Sequence, residues 1–313
     1  MLNALKDIKK QDLAHSIMLV SQDEFALKES SVYLAKLLLC KEEKPCNTCT
    51  ICKKIDHKNH ADVMTFPEEK ESIAVEEMLK IVDSVLLSPY EADKKIYILN
   101  NVSGINNLAQ NKLLKTLEEP PKNVYFILNV TSEAKVLPTI KSRCRKIYLE
   151  TFDDNKILES LIETNLSVPQ KEMIVAYSNG SIQNALNFAS KENFFGILDF
   201  VFDLWENMKH SSQMLKYASK LFLLKNDFKL FLFLYNTILE EILYVKLNKY
   251  ELVKNKSKLD WYEKVAEEFS GLALANIAKY LIVVNEKLER NCNQNIMIDN
   301  FLMTILEEKV KCR

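Results

Sequence analysis

The sequence predicts an α/β domain followed by an all-α region. Two observations carry this. Up to about Thr151, short apolar runs alternate with amphipathic helical patterns. From Asp153 onward the strand signals stop, and apolar residues recur only at helical spacing. With 313 residues and 48% of them apolar, the chain has room for two or three domains and a sizeable core.

Residues 17–20, 63–66, 96–99, 124–130 and 147–149 read as strands. Between them, residues 26–39 and 75–87 carry apolar positions three and four apart, and residues 111–121, ending in Pro120-Pro121, read as a further helix. Strands alternating with helices imply a mostly parallel sheet covered on both faces. Residues 153–165 and 169–177 read as short helices, with Gly180 closing the second, and another helix starts at residues 184–189. Long helical segments follow at 214–224, 228–247, 272–288 and 296–310, and the polar stretch 251–258 reads as a loop. The expected domains are 1–152, carrying a cysteine module at 40–52, then 153–200, then 201–313.

The chain has 42 Lys plus Arg against 43 Asp plus Glu, a net charge of −1. That balance argues against a strong grip on nucleic acid by this chain alone, since such binding runs on phosphate neutralisation. Residues 1–13 lack the apolar core of a leader. Residues 230–245 are interrupted by Asn236, Glu240 and Glu241 and are too short and too charged to cross a bilayer. The expected location is cytoplasmic, without membrane association, so the seven cysteines are expected as thiols or metal ligands.

Cys40, Cys46, Cys49 and Cys52 form C-x5-C-x2-C-x2-C. Four thiolates this close suit one tetrahedral structural zinc, with an iron–sulfur cluster as the alternative. His57 and His60 lie near enough in sequence to replace a cysteine. Cys292 and Cys312 read as free thiols.

A working phosphate loop reads G-x-x-x-x-G-K-[ST] after the first strand. At that place the chain has Gln22-Asp23-Glu24-Phe25-Ala26-Leu27-Lys28-Glu29. Gln22 and Leu27 replace the glycines and Glu29 replaces the magnesium-holding hydroxyl, leaving only Lys28 in pattern. The segment is either an ordinary strand–helix turn with a chance lysine or a degenerate loop. Both readings imply no conventional ATP binding, because side chains obstruct the backbone amides that must wrap phosphates and two carboxylates repel them.

Residues 94–146 are the most distinctive. A strand ends in Asn100-Asn101, a helix reads Leu113-Leu114-Lys115-Thr116-Leu117-Glu118-Glu119-Pro120-Pro121, a second strand follows, and Ser142-Arg143-Cys144 comes after Leu137-Pro138-Thr139-Ile140-Lys141. This stretch resembles the clamp-loader branch of the AAA+ ATPases. The resemblance implies an AAA+-like parallel-sheet domain with a zinc module, a small helical lid and a C-terminal helical collar. It implies Asp-Glu at the strand end in hydrolysing members, where this chain has Asn100 and Asn101. Amides cannot hold magnesium as carboxylates do or act as a general base. It also implies a lid arginine, where Gly180-Ser181-Ile182-Gln183-Asn184-Ala185-Leu186 offers Gln183. It gives Arg143 the role of reaching a nucleotide held by a neighbouring subunit, for which a permanently charged planar fork is suited. Without the resemblance, Arg143 is a surface arginine beside Lys141 and Arg145. His15 and the His60-Ala61-Asp62 run match structural positions of the family.

The implied role is a non-catalytic loader subunit with no nucleotide of its own. The implied partners are gamma/tau-type ATPase subunits and a delta subunit, with the sliding clamp and primer-template DNA reached through the assembly. Two other readings stand beside it: an active motor subunit of the gamma/tau type, and a zinc-containing DNA-binding protein outside clamp loading.

Overall fold

Five parallel strands build one sheet: β1 (Ser16–Val20), β2 (Val63–Phe66), β3 (Lys95–Leu99), β4 (Val124–Val130) and β5 (Arg145–Tyr148), in the order β2-β3-β4-β1-β5. The structure is a computed structural model and describes residues 5, 7–67, 73–224, 226–290 and 292–311. All five expected strands are present. The last begins two residues earlier than its apolar pattern, because β5 is a sheet edge whose Arg145 and Lys146 face solvent.

Alternation along the strands sorts side chains onto two faces. Ile17, Leu19, Ile96, Ile98 and Ile127 pack with Ala26, Leu34, Ala35 and Leu38 of α1 (Glu24–Leu39). Met18, Tyr97, Leu99, Phe126 and Leu128 pack on the other face. There they meet Met78 and Ile81 of α3 (Val75–Ser84), and Ala109, Leu113 and Leu117 of α4 (Asn107–Glu118). Between α1 and α3 lies the short α2 (Thr50–Asp56), which the sequence pattern did not resolve. The expected helix at 75–87 stops at Ser84. Leu86 and Leu87 continue the apolar spacing but are 80% and 65% exposed. Helix α4 starts earlier than expected, because Asn106 caps it by accepting from Ala109 N at 2.9 Å.

The chain divides into two compact units, Met1–Ile157 with Gly180–Asn184, and Leu158–Asn179 with Ala185–Arg313. This division is coarser than the expected one at residues 153 and 201. In the first unit Gly180 has φ +74°, and a side chain there would meet Thr151 at 2.6 Å. Its carbonyl accepts from Phe152 N at 2.9 Å, which ties residues 180–184 to the end of the sheet domain.

Among the described residues, the short helices α5 (Pro138–Lys141), α6 (Asp154–Ser160), α7 (Val168–Tyr177) and α8 (Ile182–Ala189) lead into a helical remainder. It comprises α9 (Phe194–Asn207), α10 (Met214–Leu223), α11 (Phe228–Lys246), α12 (Leu259–Glu268), α13 (Gly271–Glu289) and α14 (Gln294–Lys311). Trp205 stacks on Tyr235 at 4.6 Å, and Phe301 meets Tyr235 edge-on at 5.0 Å. The stretch expected as a loop at 251–258 contains two short 3-10 turns, Tyr250–Leu252 and Lys256–Lys258. No helix among the described residues is long and apolar enough to cross a membrane.

Candidate functional site

Strand β1 lies between β4 and β5, yet the chain leaves it for the far edge strand β2. In an open α/β sheet, such a reversal marks the carboxyl ends of the strands as the usual place for a ligand. The sequence-predicted nucleotide residues converge there only in part.

The turn from β1 into α1 has just three residues, 21–23, because the helix already starts at Glu24. Asp23 is its N-cap. Its Oδ1 accepts from Phe25 N at 2.8 Å and Ala26 N at 3.4 Å, and its Oδ2 accepts from Ile182 N at 2.8 Å. Asp23 is buried, 5% exposed. A helix N-terminus attracts anions through free N–H groups and its dipole. Here a carboxylate of the chain itself takes those donors, and a phosphate approaching them would face it. The early helix start also carries Lys28 one turn in, where it is exposed and pairs with Glu24 at 3.6 Å. Leu27 is buried in the core, and Gln22 and Glu29 are exposed.

At the ends of β3 and β4, Asn100 Oδ1 accepts from Asn129 Nδ2 at 2.8 Å. Ser31 Oγ lies 2.7 Å from Asn129 Oδ1 and 2.8 Å from the Leu27 carbonyl, so its one hydrogen serves either acceptor. Asn129 and Ser31 are buried. The polar groups at these strand ends therefore satisfy one another, as buried groups must. Asn101 sits beside them in the left-handed region, φ 48°, which asparagine tolerates. Gln183 lies in the first turn of α8. Sequence reasoning missed Asp23 as a helix cap and the buried contact between Ser31 and Asn129. Asp23 carried a signal, an acidic residue just before an apolar-periodic run, which marks an N-cap. Asn129 carried none beyond being the one polar side chain within an apolar strand.

The four cysteines do come together. The sulfurs of Cys40, Cys46, Cys49 and Cys52 all lie within 4.8 Å of one another, and Cys46 Sγ is 4.0 Å from Cys52 Sγ. That is too long for a disulfide, and close to the roughly 3.8 Å edge of a tetrahedron with metal–sulfur bonds of about 2.3 Å. Cys49 N and Cys52 N each donate to the preceding cysteine's sulfur at 3.4 Å. Backbone hydrogen bonds from Thr48 and Cys49 hold the Cys46 thiol down to about 6, while burial pushes Cys52 up to about 12. A bound cation would reverse the second effect by stabilising the thiolate. The cluster can hold a metal ion. His57 and His60 are not part of it.

Around the cluster, Lys36 reaches from α1 to Asp56 at 2.5 Å and to Asn47 at 2.9 Å. Lys10 Nζ donates to the Cys40 carbonyl at 2.9 Å. His60 is buried, and its Nδ1 accepts from Asp62 N at 3.2 Å. Asp62 in turn accepts from Tyr90 N, Glu91 N and Ala92 N at 2.6, 2.7 and 2.8 Å. His15 Nδ1 lies 3.0 Å from the Val124 carbonyl and its ring stacks on Tyr125. Both histidines are thus tied to backbone groups. Cys144 is buried in the sheet core, and burial pushes its thiol up to about 12. Cys292 is an exposed free thiol, and Cys312 lies outside the described residues.

Arg143 follows α5 and lies at the surface, its side chain 30% exposed. Its guanidinium pairs with Glu118 at the end of α4, and Nη1 donates to the Thr139 carbonyl at 2.7 Å. The two most distinctive sequence runs, one ending in Glu118-Glu119-Pro120-Pro121 and one centred on Arg143, therefore meet in space.

Comparison with known proteins gives this geometry a context. A family model described as "DNA polymerase III, delta subunit" matches residues 2–153. The chain is 35% identical over 163 residues to the DNA polymerase III subunit gamma of Buchnera aphidicola subsp. Acyrthosiphon pisum, a match spanning 49% of this chain and 45% of that relative. It is 28% identical over 284 residues to the DNA polymerase III subunit delta' of Buchnera aphidicola subsp. Baizongia pistaciae, spanning 85% of this chain and 82% of the relative. Among solved structures, a DNA polymerase III gamma-subunit-related protein from Thermotoga maritima aligns over 96% of this chain and 98% of its own, with 18% identity and a TM-score of 0.43.

Proposed function

We propose that this chain belongs to the clamp-loader branch of the AAA+ family and is the non-hydrolysing, delta-prime-type subunit of a bacterial DNA polymerase III clamp loader. The observation that carries this reading is Asp23. A carboxylate of the chain takes the helix N-terminal donors that a nucleotide phosphate would need, in a turn of only three residues. Asn100 and Asn101 stand where magnesium chemistry calls for carboxylates, and Lys28 is turned out to solvent beside Glu24. The long match to a delta' relative supports the same assignment.

In this reading the chain supplies Arg143 in trans to ATP held by a gamma/tau-type neighbour, whose hydrolysis drives loading of the sliding clamp onto primed DNA. The second unit carries the lid helices and a C-terminal collar that joins the other subunits, delta among them. Cys40, Cys46, Cys49 and Cys52 hold one structural zinc, which adds no chemistry beyond fixing residues 40–52. The protein works in the cytoplasm.

Identity to a gamma subunit favours the active-motor reading. Equilibrium binding of labelled ATP with magnesium to the isolated chain separates the two. We expect no binding at micromolar nucleotide. Micromolar or tighter affinity would assign the chain to the hydrolysing class.

A further inference from the structure

We propose that Glu118 is a positioning residue for Arg143, holding its guanidinium ready to meet phosphate oxygens of a nucleoside triphosphate bound by a neighbouring subunit. This rests on reading Arg143 as the arginine supplied in trans. The donor count of the guanidinium carries the inference. Arginine has five N–H groups. The Nε hydrogen is buried, with no hydrogen-bond partner among the described residues. One Nη1 hydrogen goes to the Thr139 carbonyl at 2.7 Å, and one Nη2 hydrogen goes to Glu118 Oε1. One hydrogen on Nη2 then remains, and the second on Nη1 makes a long hydrogen bond to Ser142 Oγ at 3.4 Å. An arriving phosphate can take the remaining Nη2 hydrogen and replace the long Ser142 contact on Nη1, one hydrogen from each end of the planar fork.

Glu118 and the Thr139 carbonyl hold the fork from two elements, the end of α4 and the single turn of α5. An unheld arginine must surrender its rotamer freedom when the phosphate arrives, whereas a held one has surrendered it already. The pair is exposed, 30% for Arg143 and 49% for Glu118, so water screens it and it adds little to folding stability. Its consequence is orientation. Glu118 also carries a negative charge close to the expected phosphate, so it gives no help to ground-state nucleotide binding. A glutamate that orients the arginine is therefore expressed in kcat and leaves KM for ATP nearly unchanged.

The test uses the assembled loader with five forms of this chain: unaltered, Glu118→Ala, Glu118→Gln, Arg143→Ala and the Glu118→Ala/Arg143→Ala double variant. The readout is kcat and KM of DNA- and clamp-stimulated ATP hydrolysis, with thermal midpoint and assembly as controls. Glu118→Ala is expected to lower kcat on the order of 3- to 10-fold through lost orientation. Glu118→Gln, which keeps an acceptor oxygen, should fall between it and the unaltered protein. The double variant should match Arg143→Ala, because a positioning residue has nothing left to position. Unaltered kcat in Glu118→Ala overturns the proposal. So does a double variant slower than Arg143→Ala by the full Glu118→Ala factor, since the glutamate would then act elsewhere. If Arg143→Ala itself hydrolyses ATP at the normal rate with assembly intact, the trans reading of Arg143 has failed, and the role of Glu118 fails with it.

Discussion

Asp23 shows how one side chain can start a helix and tie it to a distant segment at once. It caps α1 and holds residue 182 of the segment that Gly180 ties to the sheet. Asp23→Ala removes the cap and leaves buried donors unpaired, so it should cost about 1–3 kcal/mol. Lys28→Ala, on the exposed face of the same helix, should change stability by about 0.5 kcal/mol or less. Urea unfolding of the two variants beside the unaltered chain checks both figures. Asp62 makes a second prediction. Burial raises its carboxyl pKa, but three backbone donors outweigh burial and hold it below the ordinary value. A depressed carboxylate contributes stability that is complete above its unfolded pKa, about 3.9, and is lost as pH falls through the folded value. The unfolding midpoint should therefore drop below about pH 4, and Asp62→Ala should flatten that drop while lowering stability at neutral pH.

At the scale of an element, residues 40–52 hold together around four sulfurs and two lysine contacts, with little apolar material of their own. A bound metal ion would supply what a core does, by fixing the loop in exchange for thiol protons. Cys49→Ser with Cys52→Ser should reduce bound zinc from one per chain to near none by metal analysis. The same variant should lose more zinc than it loses stimulated ATPase activity in the assembled loader, because the module lies apart from Arg143 in the sequence and serves structure. Full zinc occupancy in the double variant would assign the metal to other residues. Element ends were the least legible part of the sequence. Helix α3 stops before exposed Leu86 and Leu87, and β5 begins with exposed basic residues. At α3 apolar residues continue past the helix into solvent, and at β5 the strand starts on polar residues, so apolar spacing misplaces both boundaries.

For the whole molecule, the proposed function puts the chain's contribution in a neighbour's chemistry, through Arg143. Arg143→Ala should leave the chain folded and able to assemble. It should lower ATP hydrolysis at the neighbouring site by on the order of 10³-fold, and by less in the whole loader, where other sites keep their own arginines. Arg143→Lys should restore little, since an ammonium lacks the planar fork. Lys28→Ala should hydrolyse normally. Stimulated ATPase of loaders assembled with each variant compares them directly, and normal activity in Arg143→Ala would remove the trans role.

The strand–helix alternation, all five strands and the four-cysteine spacing were legible in the sequence. Each depends on a local period or on a spacing of a few residues, which chain order preserves. The amides at Asn100 and Asn101 were legible for the same reason, as replacements within a short motif. Tertiary structure alone decided what those residues touch. It placed Asp23 across to residue 182, Asn129 between Asn100 and Ser31, and Glu118 against Arg143. These partners lie between 25 and 159 positions apart. Nothing in local periodicity encodes such pairings, because they arise only when strand order and helix packing bring separate chain segments together.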